Sequence, residues 1–318
     1  MSAPENPLNR RLLFVTGKGG VGKSTVSAAL AEYASRIGKT VLLVEVDAKG
    51  NLADFFEHEP VGFDPVEIQP NLHLMTMNTQ DSLREYMRLF LKVPLLGRLG
   101  PIANMFDWIA TALPGIREIL TTGKICWELR ASLEGSAPWD LIVVDAAATG
   151  HIVGQLDAAQ SIMELVQVGM VRQQTDWMIE LLSDRNLTGL LIVTTPEEMP
   201  VSETIDLVGR VRDRLSTEII GIIVNRVLPA LFTKDEGVVF DRIAEEDRDR
   251  VAELFGDDAL EVIDSAALAR TMRQTRAAHM QRLADAVSLP LMYVPYLFVR
   301  SHGRRVTSQL AEALGEEL

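Results

Sequence analysis

The chain has 318 residues, 47% of them hydrophobic and 24% charged, with a formal net charge of −13 and a single cysteine, Cys126. That length suits one large α/β domain, and the apolar content suffices for a sizeable core. The acid excess repels phosphate backbones and anionic headgroups, one cysteine permits no intrachain disulfide, and no apolar run approaches the roughly 18–20 residues of a membrane span.

Residues 1–6 are polar and lack the apolar stretch of a signal peptide. We therefore expect a cytoplasmic protein that does not itself span the membrane and does not bind nucleic acid. Apolar, β-branched runs predict strands at 11–16, 40–47, 72–78, 140–145, 190–195, 219–225 and 289–295. Several are continuous runs, as expected of strands covered on both faces. Helical spacing occurs between them, for example at 23–37, 201–215, 266–287 and 304–317. The alternation predicts an α/β fold with a doubly wound, mostly parallel sheet. Residues 79–135 and 228–265 break the rhythm and read as helical insertions on a single domain spanning 1–318.

The first predicted strand runs into Gly17-Lys18-Gly19-Gly20-Val21-Gly22-Lys23-Ser24-Thr25, and an Ala-rich helical pattern follows. This fits G-x-x-x-x-G-K-[ST], the phosphate loop, in the strand–loop–helix context that the motif requires. Glycines let the backbone turn so that successive N–H groups face phosphates, and the helix N-terminus adds its positive dipole end. Lys23 is expected on the β- and γ-phosphates, Ser24 on Mg²⁺, and Thr25 near the α-phosphate. The same glycines at 17, 19 and 22 also match G-x-G-x-x-G, with Asp47 closing the next strand as a dinucleotide site would want. The Lys23-Ser24 pair decides for the triphosphate, because it has no task in a dinucleotide site.

A second lysine inside the loop, Lys18, resembles the deviant phosphate loop of the MinD, ParA, nitrogenase iron protein and arsenical-pump ATPases. Residues 44–56, Val44-Glu45-Val46-Asp47-Ala48-Lys49-Gly50-Asn51-Leu52-Ala53-Asp54-Phe55-Phe56, look like the first switch of the arsenical-pump and tail-anchored-protein-targeting ATPases. Residues 144–151, Val144-Asp145-Ala146-Ala147-Ala148-Thr149-Gly150-His151, look like their second switch, and Leu113-Pro114-Gly115-Ile116-Arg117-Glu118 resembles their P-G-x-x-E helix start. The likeness spans roughly residues 10–315. Ala146 and Ala148 replace the usual Thr and Pro, Lys49 replaces the usual His, and the Cys-x-x-Cys of the targeting proteins is missing.

This resemblance implies an ATP hydrolase that works as a dimer of like chains or with a paralogue. Lys18 would reach the partner's nucleotide in the manner of an arginine finger. Asp145, ending an apolar strand, suits a Mg²⁺-holding carboxylate, although an acid there is also a common helix cap. Asp47 would orient or deprotonate the attacking water and assist the metal. Asn225 matches the family's adenine-reading amide, and Pro295, Tyr296 and Leu297 sit where the family wraps the base. Glu197 falls where the family has a Glu that contacts the partner's nucleotide; alone, it reads as a helix N-terminal acid. His151 is a switch element, and Arg300, Arg304 and Arg305 around His302 read as solvated as readily as phosphate-facing.

What hydrolysis drives is less legible. A soft metalloid site needs several thiolates, and one cysteine cannot build it within a protomer. Residues 83–120 are rich in Leu, Met, Phe and Trp; the family places a groove for apolar clients here, but the stripe reads first as packing. A client-handling ATPase acting on an apolar protein or a membrane partner is therefore expected. The alternatives are a MinD- or ParA-type positioning ATPase and a nucleotide-binding regulator without turnover. The acidic ending at 309–318 lacks the basic helix that a lipid-docking MinD carries.

Overall fold

The architecture is given by a computed structural model, which describes residues 6–46, 52–77, 116–165, 170–298 and 303–318. Among the described residues eight strands form one sheet: β1 Leu12–Gly17, β2 Val41–Glu45, β3 Val66–Gln69, β4 Leu72–Thr76, β5 Leu141–Asp145, β6 Thr188–Thr194, β7 Ile219–Val227 and β8 Leu291–Pro295. Their order across the sheet is β3-β4-β2-β5-β1-β6-β7-β8. Every pairing is parallel except β3 with β4.

The described helices are α1 Lys23–Arg36, α2 Ile116–Leu133, α3 Thr149–Leu165, α4 Met170–Ser183, α5 Glu198–Arg214, α6 Lys234–Glu245, α7 Arg248–Phe255, α8 Asp258–Ala286 and α9 Arg304–Glu317. Short 3-10 turns lie at Pro7–Asn9 and Ala53–Phe56. Among the described residues no helix is long and apolar enough to cross a membrane.

The continuous apolar strands are buried on both faces, because alternate side chains enter different cores. Leu12 and Phe14 of β1 join Leu42, Val44, Ile142, Val144, Leu190 and Ile192 on one face. Helices α2, α3, α4, α5 and α8 cover that face through Leu129, Ile152, Met178, Leu207 and Leu283. Leu13 and Val15 project the other way, with Leu43, Val143, Leu191 and Val193, onto Val26 and Leu30 of α1 and Leu310 and Leu314 of α9. Fully buried side chains such as Phe14 contribute about 1.5–3 kcal/mol each. These two layers hold the carboxyl end of β1 in a fixed place relative to β5, β6 and β7.

Three departures from the sequence reading stand out. β3 is an edge strand that the reading did not foresee. Helix α8 begins at Asp258, eight residues before the predicted 266. The third departure concerns topology. The dinucleotide reading requires the strand that leads to Asp47 to lie directly beside the phosphate-loop strand, but β5 lies between β2 and β1. A dinucleotide fold of the usual order sets its first two strands side by side. The inserted β5 therefore removes the G-x-G-x-x-G alternative on topological grounds.

Candidate functional site

The site forms at the carboxyl ends of β1, β5 and β7, around the loop from Gly17 to Gly22. Each glycine on the underside of that loop has a steric reason. A Cβ on Gly17 would lie 2.1 Å from the Val193 carbonyl oxygen of β6. Gly22 adopts φ 93° and ψ 31°, in the left-handed region, and a Cβ there would lie 2.5 Å from Asn225 Nδ2. The upper side is open, since a Cβ on Gly19 or Gly20 would meet nothing within 4 Å. Helix α1 starts directly after Gly22 with no side-chain cap on its first N–H groups. A loop packed below and open above, leading into an uncapped helix N-terminus, is an anion-binding arrangement.

Asn225, near the end of β7, is 4% exposed. Its Nδ2 donates to the Val21 carbonyl at 2.9 Å, and its Oδ1 accepts from the Arg226 N–H at 2.9 Å. The residue expected to read adenine therefore also clamps the phosphate loop from beneath. One amide hydrogen and one lone pair are left over from these two bonds.

Asp145 closes β5, immediately beside β1. Its Oδ2 accepts from Ser24 Oγ at 2.6 Å and its Oδ1 from Ser27 Oγ at 3.4 Å. Burial pushes its carboxyl up to about 6; the Ser24 hydrogen bond and the Lys23 charge oppose that shift, and the neighbouring Glu45 adds to it. Glu45 is its register partner on β2, is 3% exposed, and accepts from Thr76 Oγ1 at 3.2 Å. Neither Glu45 nor Ser27 was singled out from sequence. The available signal for Glu45 was an acid closing the otherwise apolar run Val41-Leu42-Leu43-Val44. Ser27 lies one helical turn beyond Ser24.

Lys18 does not stand free. Its Nζ lies 2.5 Å from Oε1 of Glu203 on α5, and Glu203 Oε2 accepts from Thr149 Oγ1, in the segment that resembles a second switch, at 3.5 Å. That segment is tied to β1 as well, because Thr16 Oγ1 donates to the Ala147 carbonyl at 2.7 Å. Sequence reasoning missed Glu203, which belongs to no motif and is brought to Lys18 by the fold alone.

Other expected residues are dispersed. Glu197 sits at the N-cap position of α5 without a capping hydrogen bond and lies 3.7 Å from Arg276 of α8. Pro295 closes β8 and is exposed, as is Tyr296 just beyond it, and Leu297 is half-buried. The Tyr296 N–H donates to the Val227 carbonyl, and its ring meets Phe298 edge-on at 4.8 Å. His151 is exposed on the first turn of α3. Asp47, Lys49, Arg300, His302 and the apolar stretch 83–115 lie outside the described residues.

The family resemblance calls for Mg²⁺, and the donors suit it. Ser24 and Asp145 offer hard oxygens beside an anion-binding loop, and Mg²⁺ commonly takes one or two protein ligands with phosphate and water completing the set. Among the described residues no cluster of three or more His, Cys, Asp or Glu forms a dedicated metal cage. The single thiol, Cys126, is fully buried in α2 and pushed up to about 12 by that burial.

Comparison with known proteins agrees with this geometry. The sequence profile described as anion-transporting ATPase matches residues 10–176 and 160–264. The chain is 31% identical over 297 residues to ATPase BagA of Mycobacterium tuberculosis, covering 90% of this chain and 87% of that protein. It is 30% identical over 243 residues to the arsenical pump-driving ATPase of Escherichia coli, covering 69% of this chain and 40% of that one. Over 149 residues it is 32% identical to ATPase get3 of Schizosaccharomyces pombe, covering 44% and 40%.

Proposed function

The chain belongs to the anion-transporting ATPase family, and on that footing we propose that it hydrolyses ATP with Mg²⁺ and uses the nucleotide cycle to switch a dimer acting on a client or membrane partner. The observation that carries the reading is the loop at 17–22, packed against Val193 and Asn225 below and open above, with Ser24 joined to Asp145 at its edge.

In this reading the loop amides and the N-terminus of α1 bind the phosphates, and Lys23 adds its positive charge. Ser24 and Asp145 hold Mg²⁺, which neutralises charge on the phosphate oxygens when bound. Phosphoryl transfer demands positioning and charge neutralisation more than covalent help. Asp47 orients the attacking water and assists the metal set. Lys18, released from Glu203, supplies a further positive charge across the dimer. Asn225 steadies the loop and offers its spare amide hydrogen and lone pair to adenine, with Pro295, Tyr296 and Leu297 along the base and Glu197 contributed by the other protomer. The dimer is formed by like chains or with a paralogue, from a single domain carrying its two helical insertions.

Phosphate release measured with and without Mg²⁺, alongside calorimetry with ATP, tests this function. Asp47→Asn is expected to keep ATP binding and lose turnover. Unchanged turnover in that variant removes Asp47 from the mechanism. Binding without any phosphate release in the wild type would instead make the protein a nucleotide-binding regulator.

A further inference from the structure

We infer that Glu203 is a positioning residue that holds Lys18 away from the phosphate site in the nucleotide-free protein, so that bound nucleotide must compete with this carboxylate for the Lys18 ammonium. The inference rests on the proposed ATPase reading, since it needs a triphosphate as the competitor.

Glu203 has two occupied oxygens that point to two different parts of the machinery. One takes the Lys18 ammonium at 2.5 Å; the other takes the Thr149 hydroxyl at 3.5 Å. Lys18 belongs to the open upper part of the loop, between Gly17 and the sterically free positions Gly19 and Gly20. Thr149 is 7% exposed and opens α3, four residues after Asp145. Glu203 itself rides on α5, whose Val201, Leu207, Val208 and Val211 are buried in the core. A carboxylate fixed on a helix packed into the core therefore links two segments that have no covalent route to each other shorter than 131 residues, the spacing of Lys18 and Thr149.

An ammonium cannot pair closely with Glu203 and with a phosphate elsewhere at the same time. ATP held by the facing protomer must compete with Glu203 for Lys18, and once Lys18 leaves, the carboxylate keeps only its long hydrogen bond to Thr149. The pair is partly solvated, with side-chain exposures of 25% for Lys18 and 37% for Glu203. Such pairs stabilise modestly, so the competition is expected to weaken ATP binding only about two- to fivefold. That size suits a switch, because a much stronger pair would hold the loop shut.

The test is a double-mutant cycle on the full chain, with wild type, Glu203→Gln, Lys18→Gln and the double variant compared by calorimetry with MgATP. Gln keeps an acceptor for Thr149 while removing the charge that holds Lys18. Glu203→Gln is expected to tighten ATP binding about two- to fivefold, and to change it less than twofold when Lys18 is already Gln. Glu203→Asp, which keeps the charge but draws it back by one methylene, should fall between wild type and Gln. In the nucleotide-free protein, acetylation of Lys18 read by mass spectrometry should be faster in Glu203→Gln than in wild type. Equal or weaker ATP binding by Glu203→Gln, or the same gain in the Lys18→Gln background, overturns the inference while leaving the ATPase reading intact. A wild type that binds no MgATP overturns the ATPase reading and the competition together.

Discussion

Ser24 Oγ donates to Asp145 Oδ2 at 2.6 Å, joining the first turn of α1 to the end of the neighbouring strand β5. The bond exists because β5, and not β2, lies beside β1. It places a buried carboxylate next to a hydroxyl at the mouth of the phosphate loop. That carboxylate is costly to keep charged without a cation, and its cost can be measured.

The folded protein raises the Asp145 carboxyl from its usual 3.8 to about 6, first through burial. Between those two pH values the folded state binds the proton more tightly than the unfolded chain. Stability from this group is therefore gained as pH falls from about 6 toward 4, and the charged form is a burden above that range. Asp145→Asn removes the burden and keeps an acceptor for Ser24. With EDTA present, the Asn variant should be more stable than wild type at pH 7.5 by on the order of 1–3 kcal/mol, with the gap falling to roughly a third of that by pH 4.5. Urea titrations at both pH values read it. A gap of the same size at both would show that the buried charge is not its source.

Gly17 and Gly19 are five and three residues ahead of Gly22 in one motif, yet the fold treats them differently. An alanine methyl at Gly17 collides with the Val193 carbonyl, and backbone on a central strand cannot retreat. Gly17→Ala is expected to cost more than about 3 kcal/mol or to abolish folding. At Gly19 a methyl meets open space, so Gly19→Ala should change stability by less than about 0.5 kcal/mol while weakening ATP binding at the open side. Urea unfolding and calorimetry on the two variants separate these effects. A Gly19→Ala variant as unstable as Gly17→Ala would contradict the open upper side.

Asn225 holds Val21 from below, so its loss should be felt by every nucleotide. Asn225→Ala leaves a buried carbonyl unpaired and is expected to cost about 1–3 kcal/mol of stability. ATP and GTP binding should weaken together, because the loop itself is loosened. Calorimetry with both nucleotides decides the point. Loss confined to ATP would assign the amide to base recognition alone.

How much of this was legible in the sequence depended on whether the signal was local. The central strands were visible because Leu12-Leu13-Phe14-Val15 and Leu141-Ile142-Val143-Val144 are apolar on both faces. β3 was not, because Val66-Glu67-Ile68-Gln69 is a short edge strand with two exposed and two half-buried residues. The start of α8 was hidden because Val262 and Leu268 are exposed, which leaves no stripe for periodicity to report. The phosphate loop was readable because its turn demands glycine at fixed spacings. The placement of β5 between β1 and β2 is a property of the whole chain, and so is the meeting of Lys18 with Glu203, which lie 185 residues apart.

Cys126 bears on what the ATPase serves. One relative is named for driving an arsenical pump, and soft trivalent metalloids are held by thiolates. Here the single thiol is fully buried in α2, and burial pushes it up to about 12. At pH 8 that leaves about one thiol in 10⁴ ionised, inside a core that excludes reagents. The folded protein should therefore resist Ellman's reagent at pH 8 and release one equivalent of thionitrobenzoate only in guanidinium. Arsenite and antimonite at millimolar concentration should leave phosphate release unchanged. Both expectations come from one side chain, so they stand or fall together: rapid labelling of the native protein would place Cys126 within reach of solvent and reopen a metalloid site shared between protomers.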